Sequence, residues 1–251
     1  MIKLDKGIDK DKIVRNLGKK YKLVPHLERA FKDFEDAWEF RYEEKEHDQA
    51  WHPSGHCTEP PTLLYKIATG ETDGFGEIST SLRKTFQVGH FWHQLLQYVV
   101  VNKLEMCRPE AVERVATKDW SAKKDQQPYH WVRGSGDLAP VETPSWKGLV
   151  DFKTMHAQAF KEARIPARFE AKYECQINIY MDLFDEDEAI ILPINKDSGE
   201  FKEFLYERNQ DLIDVIYEKW EFVSACVDAG EPPTDMDDEM FPLPLTGPIS
   251  V

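Results

Sequence analysis

Gly134-Ser135-Gly136-Asp137-Leu138 and, after a turn-rich stretch, Val150-Asp151-Phe152-Lys153-Thr154 decide how this chain folds. Both runs read as strands. Glu142-Thr143-Pro144-Ser145-Trp146 between them carries turn chemistry, so the two are expected to pair as a hairpin. Aspartate is disfavoured inside a strand, yet Asp137 interrupts one. Asp151 follows Leu149-Val150 and precedes Phe152. An acid embedded in an apolar strand costs free energy unless it is paired or bound to a cation. Side chains alternate with period two, which puts Lys153 on the face of Asp151. Two carboxylates and a lysine on adjacent strands are the minimal equipment for metal-dependent phosphodiester hydrolysis. The acids hold a divalent cation that lowers the pKa of a bound water, and the lysine orients that water or offsets transition-state charge.

Outward from this hairpin, periodicity places the flanking elements. Apolar residues at Val88, Phe91, Trp92, Leu95, Leu96 and Val99 form a helical stripe over about Ser79 to Lys103. A second stripe (Tyr173, Ile177, Tyr180, Met181, Phe184) predicts a helix from about Arg168 to Phe184. Strands are expected at Ala111–Thr117, His130–Val141 and Gly148–Thr154. A further hairpin, Ala189–Ile194 with Phe201–Tyr206, turns at Asp197-Ser198-Gly199, and a last helix runs from Gln210 to Asp228. Leu27, Phe31, Phe34 and Trp38 predict one more helix over about Val24 to Glu46, and Leu63-Leu64-Tyr65-Lys66-Ile67 a short one. The fold class is α/β, a mixed central sheet flanked by helices, with a helical extension over 1–50, the core over 51–228 and an acidic, proline-rich tail over 229–251. The tail is expected to be dispensable for activity.

The chain has 251 residues, a net charge of −14 and 41% hydrophobic residues, enough for a substantial core. Much of the acidity is local, in Asp185-Glu186-Asp187-Glu188 and between Asp228 and Glu239; such tracts are usually solvated surface. The balance argues against tight non-specific nucleic-acid binding by a broad basic face, while a basic groove can coexist with these tracts. No apolar run reaches the ~18 residues of a membrane helix, and the start lacks a signal-peptide stretch. The expectation is a protein of the cytoplasm, bacterial or phage-infected, with no membrane partner and an open oligomeric state. Cys57, Cys107, Cys175 and Cys226 are scattered and expected to be reduced thiols. The Gly-Lys-Ser/Thr loop of an ATPase is absent.

Three more residues suit the hairpin site. His93, at the edge of the first stripe, is a ligand type for Mn²⁺. Gln176 and Tyr180 share one helix face; alone they read as a surface amide and a core aromatic. The ordered series Gly89-x-x-x-His93, Gly134-x-x-Asp137, Asp151-x-Lys153 and Gln176-x-x-x-Tyr180 resembles the motifs of RecB-like nucleases in the PD-(D/E)XK superfamily, over about residues 50–225. That resemblance implies Mg²⁺ or Mn²⁺ held by His93, Asp137, Asp151 and the main-chain carbonyl of Phe152. It implies Lys153 as catalytic lysine, with Gln176 and Tyr180 supporting the site and DNA binding. It also implies roles in recombination, repair or phage DNA processing.

Arg83, Lys84, Arg133, Arg168 and Lys172 lie near the motifs and could neutralise phosphates. Trp131 and Tyr129 could stack on bases, although core packing is the simpler reading. His52-Pro53-Ser54-Gly55-His56-Cys57 resembles the segment carrying the first iron–sulfur cysteine in one branch of the family. Only Cys226 follows the Gln-x-x-x-Tyr helix, so the usual four-cysteine cluster cannot be built. A zinc site from His52, His56 and Cys57 competes with an ordered polar loop. The expected activity is a metal-dependent DNA exonuclease. The alternatives are an endonuclease for branched or single-stranded DNA, and an idle DNA-binding scaffold that recruits a recombinase or single-strand-binding protein through its acidic tail.

Overall fold

The computed structural model describes residues 22, 23, 26, 49–72, 80–120, 127–163 and 171–249, with backbone alone over 80–87. The expected helix over 24–46 and most of the extension over 1–50 lie outside the described residues. Five strands form one sheet in sequence order: β1 (Val112–Asp119), β2 (Trp131–Thr143), β3 (Trp146–Met155), β4 (Glu188–Asn195) and β5 (Phe204–Glu207). All neighbours are antiparallel except β3 and β4. Parallel strands need a long crossover, and here it carries α4 (Ala157–Glu162) and α5 (Ala171–Phe184). The other α-helices among the described residues are α1 (Pro53–His56), α2 (Pro61–Ala68), α3 (Thr80–Asn102) and α6 (Gln210–Ala229). The short α4 has no counterpart in the sequence reading; six residues are too few to show a stripe.

The expected hairpin forms, and it is forked. The β2–β3 ladder runs from Thr143–Trp146 to Leu138–Val150, with a register shift between Leu138 and Val141. Beyond that point the strands part company. Trp131–Gly136 pair with β1, while Asp151–Met155 pair with β4. The main chain of Trp51 covers the opened edge of β2, donating to the Trp131 carbonyl and accepting from Arg133 N–H, both at 3.0 Å.

Side-chain alternation sorts the inner strand β4 onto two cores. Ile190, Leu192 and Ile194 join Leu95, Leu96, Val99 and Val100 of α3, together with Val150 and Phe152 of β3. Ala189 and Ile191 meet Ile177, Tyr180, Met181 and Phe184 of α5 on the other face. A strand buried on both faces reads as a continuous apolar run, as Ala189-Ile190-Ile191-Leu192 does. The α3 stripe holds only from Trp92 onward. Val88 and Phe91, expected in it, are 43% and 39% exposed because the helix begins before the sheet it packs on. A third core joins α6 to α1, α2 and α5 around fully buried Trp51 and Trp220, whose rings stack 6.2 Å apart. Asn209 caps the α6 N-terminus, and Gly230 ends the helix in the left-handed conformation glycine favours (φ 69°).

The segment after α6 holds one turn of 3-10 helix, Asp237–Glu239, and is tied to the body. Thr62 donates through its N–H and hydroxyl to Asp238. Phe241 packs on Phe222, and Ile249 N–H bonds the Leu205 carbonyl at 2.8 Å. The carboxylate of Glu174, buried in α5, accepts the N–H groups of Thr246 and Gly247 at 2.6 and 3.0 Å. Removing residues 232–251 strips those donors from a buried acid, at about 1–3 kcal/mol. Truncation after Glu231 is therefore expected to lower the thermal midpoint by several degrees, at roughly 2–4 °C per kcal/mol. An unchanged midpoint in differential scanning calorimetry would show that the strap contributes nothing.

Candidate active site

Asp137 and Asp151 sit at the level where the fork opens, one residue beyond the last β2–β3 pair. Phe152 N–H, which the parting strands leave without a β2 carbonyl, donates instead to Asp137 Oδ2 at 2.7 Å. The two acids retain only 8% and 3% exposure. Lys153 Nζ lies 2.6 Å from Asp151 Oδ2, so the shared-face expectation for this pair holds. From α3, His93 places Nδ1 3.4 Å from Asp137 Oδ1 and rests its ring edge-on against Phe152. Gly89 lets α3 come this close: a Cβ there would meet Thr154 Oγ1 at 2.9 Å.

The other side of the fork is closed by α5. Gln176 donates to the Tyr180 hydroxyl at 2.9 Å, and both residues are 5% exposed. Gln176 is thus no surface amide. The α5 helix is buried on more than one face, and its amide is satisfied within the site. A Cβ on Gly134 would come within 2.9 Å of the Tyr180 ring, so this glycine is what admits the phenol against β2. Lys153 and Lys172 both lie over the Tyr173 ring, at 5.2 and 5.3 Å, which brings exposed Lys172 beside Lys153. Arg133 is half-buried on β2 opposite Thr117. The side chains of Arg83, Lys84 and Arg168 lie outside the described residues. Trp131 is buried, and Tyr129 packs on Trp51 with ring centroids 4.9 Å apart.

The electrostatics follow from this crowding. Burial opposes ionisation of Asp137, but His93, Lys153 and the Phe152 N–H outweigh it and hold its carboxyl below the ordinary range. Asp151 goes the other way. Burial, with the Asp137 charge adding, pushes it up to about 6 despite Lys153. Burial alone would lower His93, yet Asp137 and Asp151 hold it above its usual value. Burial first, then the nearby acids, raise the Tyr180 phenol so far that it stays protonated.

Among the described residues, one group of three His, Cys, Asp or Glu side chains brings its ligand atoms within 4.8 Å of one another: His93, Glu113 and Asp137. An imidazole with carboxylates fits Mn²⁺, and carboxylate oxygens fit Mg²⁺. Glu113 was missed from sequence. It lies on β1 among Arg114, Lys118 and Asp119, where nothing separates a ligand from a solvated charge. His52, His56 and Cys57 form no such group among the described residues. They sit in α1 and its two caps, where His56 Nδ1 accepts the His52 N–H and Cys57 is buried in the α6 core. Lys219, also buried, donates to the Cys57 carbonyl at 2.6 Å.

The architecture is the expected α/β one, a mixed five-stranded sheet between helices, and the residues of the four sequence motifs converge on one fork. No helix among the described residues is long and apolar enough to cross a membrane. No family model and no curated protein matches the chain. Solved structures similar to it include SSO0001, at 12% identity and TM-score 0.48 over 83% of this chain and 84% of that one. Another is the alkaline exonuclease LHK-Exo from Laribacter hongkongensis, at 12% identity and TM-score 0.45 over 72% and 89% of the two chains. A phage related exonuclease from Haemophilus somnus 129PT matches at 17% identity and TM-score 0.31 over 69% and 95%.

Cation ligands must be deprotonated. His93 titrates above its usual value and Asp151 near 6, so protons compete with a cation most strongly below neutrality. Mn²⁺ affinity measured by calorimetry should rise steeply from pH 5.5 to 7.5, with protons released on binding. A flat profile would show that these groups do not meet the metal.

Proposed function

We propose that this chain is a metal-dependent deoxyribonuclease, an exonuclease in preference to an endonuclease, that hydrolyses phosphodiester bonds with Mg²⁺ or Mn²⁺. One observation carries the reading: two buried acids flank an open fork, one 3.4 Å from an imidazole and the other 2.6 Å from a lysine. Adjacent buried carboxylates stay ionised only where a cation offsets them. His93, Asp137 and Asp151 would hold the cation, with the main chain at Phe152 beside them. When bound, the cation supplies an activated water and polarises the phosphate.

The chain's own groups do the rest. Lys153, held by Asp151 and the Tyr173 ring, presents its ammonium to the fork to orient the water and offset charge on the phosphoryl oxygens. The Phe152 N–H fixes the rotation of the Asp137 carboxylate. The protonated Tyr180, paired with Gln176, walls the site and donates no charge to it. Lys172, exposed beside Lys153, steers the DNA backbone toward the cleft.

The test is cleavage of end-labelled linear duplex beside closed circular DNA, in Mg²⁺, Mn²⁺ or EDTA. Chelator-sensitive loss of linear DNA alone is expected, with Lys153→Ala slower by roughly 100-fold or more and Asp137→Ala inactive but folded. Cutting of the circle would move the reading to an endonuclease. Activity retained in Asp137→Ala would overturn the metal site.

A further inference from the structure

We propose that Glu113 is a further cation ligand, joining His93 and Asp137 from the β1 side of the site. The inference deepens the nuclease reading and rests on it. Four observations place Glu113 there. The pairs Val112–Leu138 and Arg114–Gly136 bracket it at the level of Asp137, on the strand next to it. Its carboxylate lies within 4.8 Å of the ligand atoms of both His93 and Asp137. Asp151, whose Oδ2 is engaged by Lys153, is not in that group. Neither oxygen of Glu113 is left to swing: Oε1 accepts from Gln97 Nε2 at 2.8 Å and Oε2 from Ser135 Oγ at 3.1 Å.

The source of these two donors is informative. Gln97 is one helical turn beyond His93, on the same face of α3. It is 8% exposed and reaches the Asp137 carbonyl as well, at 3.4 Å. One helix face thus delivers a ligand to one acid and an amide to the next. Like charges opposite one another on neighbouring strands are destabilising, and hydrogen bonds from neutral donors cancel neither charge. His93 must be neutral to bind metal, so it cannot offset two carboxylates while acting as a ligand. A divalent cation between the three groups resolves that conflict. Gln97 is a positioning residue in this scheme: it touches the ligand and not the ion.

The experiment is a Mn²⁺ titration of the full chain without DNA, followed by the electron paramagnetic resonance signal of free Mn²⁺. Wild type is compared with Glu113→Gln, Gln97→Leu and His93→Ala, each checked by circular dichroism. Glu113→Gln keeps the shape of an exposed side chain and removes only its charge. It should weaken Mn²⁺ at least tenfold, and Gln97→Leu by a smaller factor, as loss of a group that orients a ligand does. Mn²⁺ binding by Glu113→Gln equal to wild type, with His93→Ala impaired, would overturn the assignment and leave the nuclease reading intact. Absence of Mn²⁺ binding by wild type would overturn both. Glu113-dependent Mn²⁺ binding in a chain that cuts no DNA would support the ligand and sink the nuclease.

Discussion

A single hydrogen bond, from Phe152 N–H to Asp137 Oδ2 at 2.7 Å, sits where two strands that begin as a hairpin stop being partners. A buried backbone donor without an acceptor costs about as much as a lost hydrogen bond or more. When β2 and β3 diverge, such a donor appears, and the aspartate supplies the acceptor the departing strand has withdrawn. The same bond fixes the carboxylate and marks the mouth of the cleft. His93 and Gln97 arrive from α3 and Gln176 and Tyr180 from α5 because the parted strands leave room between them. Glycines at 89 and 134 remove the two Cβ atoms that would hold those helices away.

The long elements were legible because their patterns are strong. The α3, α5 and α6 helices, the three strands of the first half and the mixed sheet match the periodicities closely. His93, Asp137, Asp151 and Lys153 converge as the motif order implied. What was not legible depends on neighbours distant in sequence. Glu113 is one charge among several on an edge strand, and only the pairing register brings it level with Asp137. Gln176 looked like surface because nothing local reveals that α5 is covered on several faces, by the sheet and by α6. Val88 and Phe91 continue the stripe of their helix past the end of what it packs on. The segment after α6 has a composition that suggests a loose end, whereas Glu174 holds it through main-chain N–H groups that any sequence provides.

The acidic balance acquires a local meaning in the fold. Asp182 on α5 gathers Lys118 from β1, Tyr217 from α6 and Arg208 from the loop before it, at distances of 2.5 to 2.8 Å. Glu186 takes Lys147 from the hairpin. Acids of the helical layer are thus spent on tying elements together, and several basic residues are spent with them. On the proposed reading, attraction for a polyanion falls to a few cations around the cleft, among them Lys172.

The parallel pairing of β3 with β4 has a temporal side. Every side chain expected at the reacting centre is in place in the chain by Lys153, or by Tyr180 if the α5 wall is counted. The strand that clasps Asp151–Met155 from the other side begins only at Glu188, and the strap over α5 ends at Ile249. A ribosome must release the chain through β4 and the strap before the cleft can close around its acids. Nascent fragments therefore carry the full set of reactive groups in a chain that has no means of assembling them.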